Sequence, residues 1–162
     1  MAQAETLRRP KTVAKTAAKT AMKHSDPREH NPWTHGKFCW NELRTRDPER
    51  AKQFYADTVG WRFEASATPD GQSYWVAVSD GEPVAGLFTL TSPAFDGVPE
   101  SWISFLAVDD VDVRVAKAEK AGAKLVMPIF DVPNVGRIAM LREPGGAGVG
   151  WITPLWGRAA TV

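Results

Sequence analysis

Two stretches of this chain, "DPERAKQFYADTVG" at 47–60 and "DDVDVRVAKAEKAG" at 109–122, share one length and one punctuation. Each opens on aspartate, runs through a helical apolar pattern and stops at a glycine thirteen positions on. An aspartate ahead of a helix accepts from the free N–H groups of the first turn. A glycine behind it takes the left-handed conformation that ends the helix. Pro48 adds a ring already set for the first helical position. Ala51, Phe54, Tyr55 and Val59 make the apolar stripe of the first predicted helix; Val111, Val115 and Ala118 make that of the second. A chain that says this twice is constrained to a fold with two like halves.

The flanks extend the repeat. "KFCWNELRT" and "SWISFLAV" read as the strands that lead into each helix. After the first helix come "WRFEASAT" and "QSYWVAVS", joined by the turn signal "PDGQ", and then "PVAGLFTL" after "DGEP". After the second come "AKLVMPIFDV", "GRIAMLRE" and "GVGWITPL", and "TSPAFDGVPE" links the halves. The order β-α-β-β-β appears twice, which predicts an α+β fold with modules at 36–92 and 100–157. Two curved sheets are expected to enclose a shared cup.

The 162 residues suit one domain, with residues 34–157 holding the two modules and residues 1–33 preceding them as a basic tail. No apolar run approaches the roughly 18 residues of a membrane helix. Cys39 stands alone, so no intrachain disulfide forms, and a reducing, cytoplasmic setting is expected. Residues 1–30 hold seven Lys/Arg against three acidic residues, which leaves residues 31–162 at net −3. That sign argues against a nucleic-acid surface on the domain and confines such a role to the tail. In the tail, Lys11, Lys15, Lys19 and Lys23 recur every four residues, a spacing at which like charges on a helix repel. A solvated extension and an arm for an acidic partner are both open readings.

Residues 36–157 resemble the vicinal oxygen chelate superfamily, which includes glyoxalase I, bleomycin-resistance proteins and extradiol dioxygenases. The resemblance is carried by "FCWNELRTRDPERAKQFYADTVGW", "FLAVDDVDVRVAKAEKAGAKL" and "DVPNVGRIAMLREPGGAGVGWITPL". Glu143 stands before Pro144 where the glyoxalase-like subgroup usually has aspartate. The resemblance implies a curved mixed-sheet cup. In metal-using members, four inward side chains from the first and last strands of each module hold one divalent ion, usually as His or Glu.

On that pattern the four positions fall on Trp40, Gly86, Ile103 (or Trp102, one residue earlier) and Gly150. Indole, alkyl and glycine offer no donor to an ion that needs N or O ligands, so no metal cofactor is expected there. His24, His30 and His35 all precede the first strand, and with Cys39 they match no ligand spacing.

Tryptophan buries about 150–250 Å², worth about 4–6 kcal/mol at about 25 cal/mol per Å². Trp40 and Trp102 are therefore expected either to plug the cup or to wall a site for a flat ligand, with the glycines giving it room. Ligand-facing candidates are Trp40, Arg44, Gly86, Phe88, Trp102, Ile103, Phe105 and Gly150. Strand alternation puts Trp40, Glu42 and Arg44 on one face, and turns Cys39, Asn41 and Leu43 toward the helix. A buried Glu42 needs a partner, with Arg44 and Arg137 as candidates; otherwise it receives a ligand's hydrogen-bond donor or serves as a catalytic base, with Glu64 on the next strand as the carboxylate that could join it.

The leading expectation is a glyoxalase-like protein that binds an aromatic or carbonyl-type small molecule without the usual metal. The alternatives are a lyase or dioxygenase-type enzyme of the same superfamily using Glu42, and an interaction protein acting through the basic tail. No membrane partner is expected, and two modules in one chain leave both a monomer and a homodimer open.

Overall fold

The structure, a computed structural model, describes residues 35–67 and 73–155. The tail with His24, His30 and Trp33, the "PDGQ" turn and Trp156 lie outside the described residues. The first module is β1 (Phe38–Thr45), α1 (Pro48–Val59), β2 (Arg62–Ala67), β3 (Ser73–Ser79) and β4 (Glu82–Thr89). The second is β5 (Ser101–Ala107), α2 (Val111–Lys120), β6 (Lys124–Leu125), β7 (Phe130–Val132), β8 (Gly136–Arg142) and β9 (Gly148–Pro154). "AKLVMPIFDV" thus splits into two short strands on either side of Pro128, a residue with no N–H to give a ladder.

Asp47 caps α1 by accepting from the Arg50 N–H at 3.0 Å, and Gly60 closes it at φ 74°. Of the two aspartates ahead of α2, Asp110 is the cap, accepting from the Val113 N–H at 3.0 Å. Asp109 instead takes both Nε and Nη2 of Arg114 at 2.7 Å, which holds its carboxyl below the usual range.

The strands form one curved sheet in the order β2-β3-β4-β1-β5-β9-β8-β6, with β7 also on β8. The two curved sheets expected around a shared cup are continuous, joined where β1 meets β5 antiparallel. Each of these strands has the last strand of its own module on one side, parallel, leaving one edge open. Pairing those two edges satisfies both rows of backbone groups and removes two exposed edges.

Both helices lie on one side of the sheet. α2 buries Val111, Val115 and Ala118 against Ala139, Leu141 and Val149. α1 buries no residue fully. Its half-buried residues are Pro48, Ala51, Lys52 and Tyr55, and the Lys52 ammonium lies 3.4 Å from the centroid of the Trp75 ring. That rotation leaves Phe54 and Val59, both in the predicted stripe, mostly exposed. Among the described residues no helix is long and apolar enough to cross a membrane.

Candidate functional site: a buried carboxylate among aromatic rings

Strand register carries one face of the sheet from β3 to β9. Glu42 on β1 stands opposite Gly86 on β4 and Ile103 on β5, and Arg44 stands opposite Phe88. Trp40 pairs with Phe105, Phe105 with Gly150, and Phe88 with Tyr74 on β3. Directly paired residues point the same way. Trp40, Glu42, Arg44, Gly86, Phe88, Ile103, Phe105 and Gly150 therefore share the face opposite the helices.

Trp102 does not join them. It pairs with Leu43, on the helix side, and its indole N–H donates to the Tyr55 hydroxyl at 3.1 Å. Its ring stands edge-on to Tyr55 and Trp61, at centroid distances of 5.8 and 6.3 Å. Ile103 is thus the inward residue of that strand, and Trp102 is corrected from cup wall to outer-face packing. Cys39 departs from the expected alternation as well. The β1–β5 register shifts between Phe38 and Trp40, so Cys39 turns inward, packs with Phe105 and Ile138, and donates to the Phe105 carbonyl at 3.4 Å. Burial pushes its thiol up to about 11.

The residues at the family's metal positions do not fit an ion. Trp40, Gly86, Ile103 and Gly150 present no donor atom to the cup. Among the described residues no three His, Cys, Asp or Glu side chains gather closely enough to hold one. The space left by each glycine is taken by a ring of this same chain. A Cβ on Gly86 would overlap the Tyr74 hydroxyl and come within 2.6 Å of Tyr74 Cζ and 2.9 Å of Trp40 Nε1. A Cβ on Gly150 would come within 2.5 Å of Phe105 Cε1 and 2.9 Å of its Cγ. The glycines thus make room for Tyr74 and Phe105 rather than for an added molecule.

Glu42 lies at the centre of this face, with only 9% of its surface exposed. Burial raises its pKa, while the charge of Arg44 and hydrogen bonds from Arg44 and Tyr74 pull the other way. Arg44 Nε donates to Glu42 Oε1 at 3.4 Å, and its Nη2 lies 3.4 Å from Met140 Sδ. Arg137, the other candidate partner, is tied to Asp112 at 2.6 Å and Asp131 at 2.7 Å. Glu64 is exposed on β2, three strand spacings or about 14 Å away, so the two carboxylates form no dyad.

Tyr74 is the site residue that sequence reasoning missed. Trp40 Nε1 donates to its hydroxyl at 2.9 Å. Alternation along "QSYWVAVS" was the available signal, because Tyr74 shares parity with Val76, the residue opposite Gly86. On the helix side, the carboxylates around Asp109 and Asp112 are spent on Arg114 and Arg137.

Comparison with known proteins agrees with this architecture. "Putative glyoxylase CFP32" of Mycobacterium tuberculosis is 38% identical over 112 residues, covering 68% of this chain and 43% of that protein. "Anthracycline biosynthesis protein DnrV" of Streptomyces peucetius is 29% identical over 123 residues, covering 69% and 45%. The chain thus spans less than half the length of these curated relatives. Among solved structures, a Streptomyces coelicolor methylmalonyl-CoA epimerase in complex with 2-nitronate-propionyl-CoA superposes with a TM-score of 0.58 at 15% identity. That match covers 78% of this chain and 99% of the other, and it shows a shared fold. The sequence profile of the Glyoxalase/Bleomycin resistance protein/Dioxygenase superfamily matches residues 37–150, and the chain belongs to that family.

Proposed function

We propose that this chain is a glyoxalase-like small-molecule-binding protein that works without the divalent metal of its metal-using relatives. The ligand is an aromatic or carbonyl-type molecule lying against Trp40 and Phe88, beside the Glu42–Arg44 pair. One observation carries the reading. The four positions that would ligate an ion hold no donor, while a buried carboxylate and a half-buried guanidinium stand beside them among rings. Ring faces bind flat apolar ligands, Arg44 supplies donors for a carbonyl oxygen, and Glu42 accepts from a ligand N–H or O–H. A mostly apolar lining with a few converging polar groups is the usual form of a small-molecule site. The relative named for anthracycline biosynthesis is in keeping with a flat ligand.

A second reading has a specific observation in its favour. Burial raises the pKa of Glu42, the direction that favours a general base. In that case the chain is a lyase or dioxygenase-type enzyme of the superfamily with Glu42 moving the proton.

The test is tryptophan fluorescence against a panel of aromatic and carbonyl compounds, with metal analysis of the same protein. Saturable quenching that survives EDTA and is lost in Trp40→Ala supports the proposal. Stoichiometric Zn, Ni, Fe or Mn, with binding abolished by EDTA, overturns it.

A further inference from the structure

Tyr74 reaches the cup from β3 and fills the space that Gly86 of β4 leaves empty. Its hydroxyl has two neighbours of opposite hydrogen-bonding character. The Trp40 indole N–H, 2.9 Å away, is a donor with no acceptor capacity. It therefore takes a lone pair of the phenol oxygen and leaves the single phenol hydrogen for another acceptor. The Glu42 carboxylate, on the strand position directly opposite Gly86, is the acceptor charge that acts on this phenol.

We infer that Tyr74 is a positioning residue for Glu42: the Trp40 indole fixes the phenol hydrogen on the Glu42 carboxylate, which holds that carboxylate in one orientation and ready to accept a ligand's proton. The inference rests on the inner face being the site, and it deepens that reading. In chemical terms, a phenol proton stands where metal-using relatives place a ligand side chain. The ionised form of Glu42 is then sustained by two donors, Arg44 and Tyr74, against the desolvation of its surroundings. Among the described residues, the other titratable side chain turned inward on β1 is Cys39, which lies against the Phe105 cluster. Gly86 and Phe88 of β4, Ile103 and Phe105 of β5, Met140 of β8 and Gly150 of β9 carry no titratable group.

The arrangement also accounts for Trp40, whose position falls on the first metal slot. A phenylalanine there would fill comparable space but would leave the phenol free to rotate its hydrogen away from Glu42. Indole both packs and aims.

The test is carboxyl 13C NMR of the full chain labelled at glutamate, with the Glu42 signal assigned by its loss in Glu42→Gln. This readout needs no ligand, so its outcome is separable from that of the fluorescence titration. A hydrogen bond to a charged group corresponds to about a ten- to hundredfold change in an ionisation constant. Tyr74→Phe is therefore expected to raise the Glu42 midpoint by about one to two pH units. Trp40→Phe is expected to raise it by less, since the phenol remains but is no longer aimed. Global 3-fluorotyrosine incorporation strengthens the phenol as a donor in the native fold, and it is expected to lower the midpoint. An unchanged midpoint in Tyr74→Phe, or in the fluorotyrosine protein should that variant fail to fold, overturns the inference. A downward shift in Trp40→Phe overturns the aiming role of the indole.

Discussion

Gly86→Ala is the sharpest probe of the packed cup. The added methyl overlaps the Tyr74 hydroxyl and stands 2.6 Å from Tyr74 Cζ, where carbon atoms settle at about 3.5–4.0 Å. The ring must retreat by about 1 Å, yet it is held by Trp40 at 2.9 Å and by Glu42. Overpacking of this kind costs about 1–3 kcal/mol. Pulling the phenol from a charged partner costs about 1.5–3 kcal/mol more. Replacing a strand glycine returns about 0.5–1 kcal/mol through the unfolded chain. The expected net loss is therefore about 1.5–5.5 kcal/mol in urea unfolding. The reasoning attributes that loss to one ring, so the same substitution is also made in a Tyr74→Leu background. There the obstacle is gone, and Gly86→Ala becomes neutral or stabilises by up to about 1 kcal/mol. The cycle thus carries a coupling energy of about 2.5–6 kcal/mol between the two positions, the glycine contribution cancelling between backgrounds. Equal losses in both backgrounds would refute the claim that Tyr74 occupies the empty position at Gly86.

Two further outcomes follow from the same face. Glu42 has a folded-state pKa raised above its ordinary value of 4.5, so the native protein binds more protons than the unfolded chain as pH climbs through that interval. Native stability then falls as pH rises from the ordinary carboxylate range through the folded midpoint. The melting temperature of Glu42→Gln, which cannot ionise, should gain on the wild type across that window; a difference independent of pH refutes the assignment. Cys39, with its thiol pushed up to about 11, should react with iodoacetamide far more slowly at pH 7.5 in the native protein than in urea. Equal rates refute its burial.

Much of this molecule was legible because local signals agreed with one another. The caps at Asp47, Gly60 and Asp110 lie where short-range chemistry puts them, and each strand falls within its patterned run to within one residue. What stayed illegible is non-local. Whether Trp102 or Ile103 faces inward depends on the register of β5 against β1, and one residue of register exchanges the two faces of a strand. The inward turn of Cys39 comes from a shift in that same ladder, which no pattern in "KFCWNELRT" announces. Arg137 was a reasonable partner for Glu42 by charge alone, but Asp112 and Asp131 reach it first. Tyr74 escaped notice for a different reason. An empty glycine position suggests room, and only the fold shows that a side chain from the neighbouring strand has already filled it.

The two halves of the cup solve the same vacancy differently, and the difference places the chemistry. Gly86 and Gly150 occupy matching positions in the last strand of each module, and both are covered by rings from an adjacent strand. In the second module the ring is Phe105, which brings no donor or acceptor and joins Ile138, Met140 and Ile152 in an apolar cluster. In the first module the ring is Tyr74, which brings a hydroxyl into contact with Trp40 and Glu42. The face is therefore polar around Gly86, where Glu42, Arg44 and Tyr74 gather, and apolar around Gly150. On the proposed reading, proton transfer or hydrogen-bond recognition falls beside Glu42 and Tyr74, with Phe105 and its apolar neighbours contributing shape and exclusion of water.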